Sequence, residues 1–232
     1  MKQRGCVGAR GVEAEGNMAL EKYYVKEIPS RVATEMVIEF HYLHRRAPSM
    51  YTFGLFDSDT EEMVGCIIYG KPASHSLCKG VCGPEEASNV IELTRLWIAD
   101  VTPKNAESYL IGQSLRMLPV EKDIVVSYAE IGAGHVGVVY QATNWLYTGM
   151  SDRHVEWRLD GKSGSHSRHL FDEHGGVNGA KAFYGERMER HERPRKHRYV
   201  MFRGSKRRKK ELLEKLRYEV QPYPKVGADS LQ

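Results

Sequence analysis

Between residues 89 and 128 the chain changes period twice, and this alternation narrows the possible folds more than any other feature. Asn89-Val-Ile-Glu-Leu-Thr-Arg-Leu-Trp97 alternates its side chains as a strand does, with Glu92, Thr94 and Leu96 on one face and Leu93, Arg95 and Trp97 on the other. Ala106 to Leu118 then sets Leu110, Ile111, Leu115 and Leu118 along one helical face, and Ile124 to Tyr128 is the β-branched run of a buried strand. Strand, helix and strand at this spacing form a crossover unit whose two strands lie parallel in one sheet. Upstream, Tyr51 to Phe56 and Met63 to Tyr69 are joined by six polar residues, which predicts an antiparallel hairpin. A short strand from Tyr23 to Ile28 precedes them, followed by a helix capped by Ser30 and carrying Val32, Met36, Val37 and Phe40. Downstream, the pattern predicts a short helix over Val138 to Leu146 and strands over Thr148 to Leu159 and His197 to Phe202. The Gly- and Cys-containing stretch before Asn89 reads as a loop. The expected class is α/β: a twisted, mixed sheet flanked by helices.

Length sets the scale: 232 residues with 41% hydrophobic side chains suffice for one core. The expected organisation is a disordered extension over residues 1–22, with Met18 a candidate start, a catalytic domain over 23–202, and a basic tail over 203–232. No apolar run is long enough to span a bilayer, and no apolar segment follows Lys2 and Arg4 as in a secretory signal, so the expected compartment is the cytosol. Cys78 and Cys82 form one C-x3-C pair without a second pair or a His pair to complete a zinc site; reduced thiols are the expectation. The net charge of +4 is unevenly spread. Arg187 to Arg217 holds 14 Lys or Arg against 4 Asp or Glu, leaving the remainder acidic. A basic segment on an acidic body suggests a polyanion partner, and Lys206, Arg207, Arg208, Lys209 and Lys210 are its densest run. The alternative is a solvated helix that packs Leu212, Leu213 and Leu216 onto the body.

Three blocks carry polar groups that a core does not need. In Phe40-His-Tyr-Leu-His-Arg-Arg-Ala-Pro48, His41 and His44 are spaced to share the last turn of a helix and one pocket, as a metal arm, a base with its partner, or a complement to the helix dipole. In the strand at 90–97, Arg95 is costly to bury unless an anion or a carboxylate meets it. Lys104 and Asn105, just before the helix at Ala106, suit phosphate, although the glycine-rich loop of acyl-coenzyme A sites is missing. The third block, Ser127 to Tyr147, places Glu130 at a strand's carboxyl end, then a glycine-rich turn, His135, Tyr140, Gln141 and Asn144. Its aromatics read equally as core residues with polar tips. Ser163-Gly-Ser-His-Ser-Arg-His169 is polar, with no role assigned to His166, Arg168 or His169.

Taken together, these blocks resemble the Mom family of bacteriophage DNA-modification proteins. The resemblance is densest in HYLHRRAP (41–48), VGCIIYGKPAS (64–74), ELTRLW (92–97), PKNAES (103–108) and the run from SYAE to GHVGVVYQATNWLYTG (127–149). It implies a GNAT-like enzyme that converts the N6-amino group of adenine in double-stranded DNA to a carbamoylmethyl derivative, shielding phage DNA from restriction in the infected cell's cytoplasm. It also implies an acyl-coenzyme A donor such as acetyl-coenzyme A and, as a proposed metal, iron. Carried over residue by residue, His41, Glu130 and Tyr140 form the catalytic or metal-binding trio, and Tyr69, Arg95 and Ser127 join Lys104 and Asn105 at the donor. Where the family has aspartate after Ser-Tyr-Ala, this chain has Glu130, one methylene longer. An N-acetyltransferase acting on a protein or small amine and a non-catalytic DNA-binding protein are the other readings; whether the chain forms a homodimer is not legible.

Overall fold

A computed structural model describes residues 20–131, 135–159 and 171–225. Most of the expected N-terminal extension, Met18 included, lies outside the described residues, as do His166, Arg168 and His169. The elements are β1 (Tyr23–Glu27), α1 (Ser30–Phe40), β2 (Tyr51–Asp57), β3 (Met63–Gly70), α2 (His75–Cys82), β4 (Val90–Ile98), α3 (Ala106–Met117), β5 (Ile124–Glu130), α4 (Val138–Ala142), β6 (Leu146–Met150), β7 (His154–Leu159), α5 (Val177–Tyr184), β8 (Met188–Arg193), β9 (Lys196–Phe202) and α6 (Lys206–Lys215). The main sheet has seven strands in the order β1-β2-β3-β4-β5-β9-β6; β7 and β8 form a separate ribbon. Among the described residues only β4 and β5 pair in parallel, joined by α3 as the crossover pattern requires. The expected mixed sheet with helices on both faces is therefore present.

One face packs Phe53, Leu55, Ile91, Leu93 and Val125 against Leu110 and Ile111 of α3. The other packs Val90, Ile124, Val126 and Val200 against Cys78, Val81 and Cys82 of α2 and Leu212 of α6. Each fully buried aliphatic side chain contributes about 1.5–3 kcal/mol of transfer free energy.

Several local expectations are corrected. Ser30 is the first residue of α1, not its cap; Pro29 holds the cap position without a side-chain hydrogen bond. The stretch before Asn89 is not a loop: Ser74 accepts a hydrogen bond from Leu77 N–H and starts α2. The short helix stops at Ala142, because the chain turns at Asn144 (φ 59°) into β6. The single strand expected over Thr148 to Leu159 is two, β6 and β7, in different sheets, since Gly149 (φ 78°) and a register shift turn the chain out of the main sheet. Residues 203–225 pack on the body. Arg217 N–H donates to the Val81 carbonyl, Gln221 N–H to that of Tyr147, and the Tyr223 hydroxyl to that of Trp145. Leu212 is buried and Leu216 packs nearby, whereas Leu213 is exposed because it points about 100° away from Leu212 around the helix.

Candidate functional site

The parallel pairing of β4 with β5 runs only from Val90 opposite Ile124 to Leu93 opposite Ser127. Beyond that point β4 continues to Ile98 and β5 to Glu130 without pairing to each other, and a cavity of about 560 Å³ occupies the parting. This is the carboxyl edge of both strands, where open α/β sheets take their ligands.

A bulge shapes one wall. On β3, Ile68 pairs with Arg95 and the adjacent Tyr69 with Leu93, so Thr94 is an extra residue in β4. Thr94 Oγ1 lies 3.2 Å from the carbonyls of both Pro48 and Ile68. The inserted residue resets the alternation. Arg95 therefore comes to the same side as Glu92, not the opposite face that strict alternation predicts, and all residues from Glu92 to Leu96 line the cavity.

The two partly buried groups at this wall are chemically uncommitted. Arg95 Nη1 donates to the Thr94 carbonyl at 2.6 Å, while its buried Nε has no hydrogen-bond partner among the described residues. Burial pushes the Glu92 carboxyl up to about 7, with Lys196, the Ala73 N–H and Arg95 acting in the opposite direction. Its side chain thus sits near its own titration point at neutral pH. Glu92 was not among the residues expected to act, yet the signal was present: a carboxylate among Val90, Ile91 and Leu93 in a buried strand. Across the parting, Glu130 Oε2 is buried without a hydrogen bond, its nearest cation being Lys196 Nζ at 3.7 Å.

The third wall comes from α1's exit and from α4. His41 ends α1 in extended conformation (ψ 137°) and is 7% exposed. Its Nδ1 accepts the Leu43 N–H at 3.1 Å. Burial first, and the field of Arg95 next, hold its pKa down at about 4, so the ring is neutral and its proton sits on Nε2. The two imidazoles do not share the pocket: the chain turns at His44 (φ 43°), which is exposed with its Nδ1 3.0 Å from the Ile38 carbonyl. Tyr140 on α4 is buried, its hydroxyl 2.8 Å from Ser127 Oγ, and Ser127 also reaches the Leu93 carbonyl at 3.0 Å. A serine has one hydrogen and a carbonyl only accepts. When both bonds are made, Ser127 donates to Leu93 and Tyr140 donates to Ser127. Burial raises the Tyr140 pKa to about 12, so it keeps its proton. Gly137 starts α4 at φ 75°, and a Cβ there would stand 2.5 Å from the Tyr199 ring; only glycine lets α4 pack this closely.

Of the expected site residues, His41, Arg95, Glu130 and Tyr140 line one cavity. Ser127 lies beneath it and positions Tyr140. Tyr69 is not brought to the cavity; it is fully buried, with its hydroxyl 2.8 Å from Ser114 Oγ. Lys104 and Asn105 are exposed at the start of α3 and do not line the cavity, whereas Glu107 does. The trio does not fit a metal ion as placed. His41 cannot offer Nε2 while Nδ1 accepts the Leu43 N–H, the Tyr140 hydroxyl is held by Ser127, and no group of three His, Cys, Asp or Glu gathers among the described residues.

The basic run is corrected in one member. Arg208 is bonded to Glu86 Oε2 at 2.5 Å, Asp123 Oδ2 at 2.8 Å and Glu211 Oε1 at 2.8 Å, and Lys215 adds Glu86 Oε1 at 2.6 Å. It is a structural cation. Lys206, Arg207, Lys209 and Lys210 are exposed.

The model of the Mom protein family matches residues 22–225. The chain belongs to the Mom protein family. The methylcarbamoylase Mom of Escherichia phage Mu is 28% identical over 221 residues, covering 92% of this chain and 90% of the phage Mu protein. Among solved structures, Arabidopsis thaliana NAA60 in complex with acetyl-CoA matches 78% of this Mom-family chain and 99% of its own, at 9% identity and a TM-score of 0.46. An IAA acetyltransferase from Bacillus cereus matches 78% and 99%, at 10% identity and a TM-score of 0.41. Among the described residues no helix is long and apolar enough to cross a membrane.

Proposed function

We propose that this Mom-family chain is a transferase that attaches a carbamoylmethyl group to the N6-amino nitrogen of adenine in DNA. The observation that carries the reading is the pairing, in one cavity, of a carboxylate poised near neutrality, Glu92, with a partly buried arginine, Arg95, whose Nε has no hydrogen-bond partner among the described residues. The adenine N6 lone pair is delocalised into the ring, so the nitrogen becomes nucleophilic only as a proton leaves it. Glu92 or Glu130 takes that proton. His41, a neutral Nε2–H donor, and Arg95 face the charge that develops as the new bond forms. Tyr140 would turn its hydroxyl from Ser127 to give its proton to the departing group.

The donor that the family resemblance implies is an acyl-coenzyme A. The Arg95 side chain lines the cavity, its buried Nε without a hydrogen-bond partner among the described residues, and Lys104 and Asn105 are solvent-accessible at the start of α3, outside the cavity lining. Bound there, an acyl-coenzyme A would supply a carbonyl from which attack by N6 expels the coenzyme A thiolate, giving an N6-acyl adenine; a carbamoylmethyl product needs instead a donor whose leaving group sits on the methylene carbon. The bond to N6 in a carbamoylmethyl product is made by a methylene carbon, so the donor must carry that carbon beside the carboxamide.

The test is mass spectrometry of nucleosides from plasmid DNA of bacteria expressing the full chain. The expected species is deoxyadenosine heavier by one carbamoylmethyl group, absent with Glu92→Gln. Acetylated deoxyadenosine instead would replace the proposed chemistry with plain acetyl transfer. Unmodified DNA alongside an acetylated protein or small amine would replace the DNA reading.

A further inference from the structure

We propose that the segment from His41 to Arg46 engages the DNA, with Tyr42 as the stacking face for an adenine swung out of the duplex and Arg45 and Arg46 against the flanking phosphates. The inference rests on the DNA reading above and deepens it by naming the surface.

Tyr42 is 51% exposed, yet its ring is not adrift. It stacks on His41 with centroids 4.4 Å apart and planes at 26°, and lies 5.4 Å from the His135 ring. All three rings line the cavity with Glu92, Arg95 and Glu130. An aromatic ring half in water at the mouth of a reactive cavity contributes little to the core and offers a planar surface to a base. Enzymes that act on a nucleobase hold the extruded ring between such side chains.

Hydrogen bonds tether the segment at both of its ends. His44 Nδ1 lies 3.0 Å from the Ile38 carbonyl, Met50 N–H donates to the Tyr69 carbonyl at 2.7 Å, and Thr94 Oγ1 reaches the Pro48 carbonyl. Gly70 permits this seating, since a Cβ there would stand 2.1 Å from the Pro48 carbonyl oxygen. Arg45 and Arg46 are exposed and make no ion pair or hydrogen bond among the described residues. Arg45 lies close enough for its field to depress the ionisation of both His41 and Arg95. Guanidinium groups with open forks suit phosphate oxygens.

The basic run on α6 is less well placed. β9 runs antiparallel to β5, with Lys196 opposite Glu130 and Phe202 opposite Ile124. α6 follows Phe202, so it starts about 20 Å from the cavity end of β5 at 3.3 Å per residue. Arg208 ties it to Asp123 and Glu86, which precede β5 and β4.

The test uses the full chain and fluorescence anisotropy with two labelled duplexes, one fully paired and one with an adenine opposite an abasic gap, where extrusion is cheap. Wild type is expected to prefer the gapped duplex. Tyr42→Ala and Tyr42→Leu should weaken binding to it by roughly fivefold or more, with Tyr42→Phe retaining the preference. Exchanging Arg45 and Arg46 together for Gln should weaken both duplexes alike and reduce the salt slope by about 0.9 per lost phosphate contact. The same exchange at Lys206, Arg207, Lys209 and Lys210 should have the smaller effect. Thermal melts of each variant confirm that it is folded. A wild type that binds and modifies DNA, with a preference indifferent to Tyr42 and a salt slope set by α6, overturns this inference and leaves the DNA reading standing. A wild type that binds neither duplex overturns both.

Discussion

The Ser127 hydroxyl of β5 lies 3.0 Å from the Leu93 carbonyl of β4, at the last paired rung before the two strands part. The same oxygen lies 2.8 Å from the Tyr140 hydroxyl, so one small side chain closes the foot of the cavity and orients a tyrosine on its wall. Ser127→Ala removes both bonds inside a fully buried site. The expected cost is about 1–3 kcal/mol from unsatisfied buried groups, measured as a lower denaturant midpoint. DNA modification should fall with it, and Ser127→Thr should recover part of it.

Glu92 couples stability to activity in opposite directions. Its pKa is raised from 4.5 to about 7 in the folded protein, so the fold holds a proton that the unfolded chain releases between those values. Stability therefore falls as pH rises from 4.5 to 7, and the penalty is complete above 7. Glu92→Gln should melt like wild type at pH 4 and be more stable at pH 8, by up to about 2–3 kcal/mol. Its modification rate should drop by roughly 10²–10⁴-fold. Identical melts at pH 8 would remove the buried charge from the argument.

His41 has the reverse sign for a basic group. Its pKa is lowered from 6.5 to about 4, so on acidification the unfolded chain takes up the proton first and stability declines between pH 6.5 and 4. The imidazole resonances of His41, followed by NMR, should stay at their neutral positions at pH 5. His41→Asn should flatten the stability profile between pH 6.5 and 4.

Arg208 and Glu86 anchor α6. The arginine holds the Glu86 carboxyl down at about 2, below its usual 4.5, with Lys215 assisting. That contribution is present above pH 4.5 and is lost as pH falls towards 2. Arg208→Ala leaves Glu86 and Asp123, both buried, without their main cation, and should cost roughly 3 kcal/mol or more in urea unfolding. Glu86→Gln should blunt the acid-side loss.

Gly70→Ala tests the seating of the loop on the sheet. The added methyl would meet the Pro48 carbonyl rather than a flexible side chain, so the loop itself must shift. The expected result is weaker binding to the gapped duplex than the loss of thermal stability alone would produce, measured on protein shown to be folded at the assay temperature.

The strand-helix-strand unit at 89–128 was legible because a buried strand, an amphipathic helix and a second buried strand each announce themselves by period: α3 buries Leu110 and Ile111, packs Leu115 against the core, and is followed by the buried Leu118. The candidate residues His41, Arg95, Glu130 and Tyr140 were legible as polar groups in segments otherwise patterned for burial. What misled was local geometry. Nothing in Glu-Leu-Thr-Arg reveals a bulge at Thr94, which arises from how β3 and β4 meet and which moves Arg95 to the side of Glu92. His44 leaves the pocket through a positive φ at the end of α1. Arg208 counts as one of five consecutive cations in the sequence, yet its partners Glu86 and Asp123 lie 122 and 85 residues away.

Alternating hydrophobicity alone determined the mixed sheet and its crossover, because the drive to bury apolar faces acts residue by residue along the chain. Which carboxylate sits near neutrality, which cation is spent on the fold and which aromatic ring stands at the mouth were decided only by the tertiary structure. Burial, field and hydrogen-bond partners depend on segments that the chain brings together from far apart.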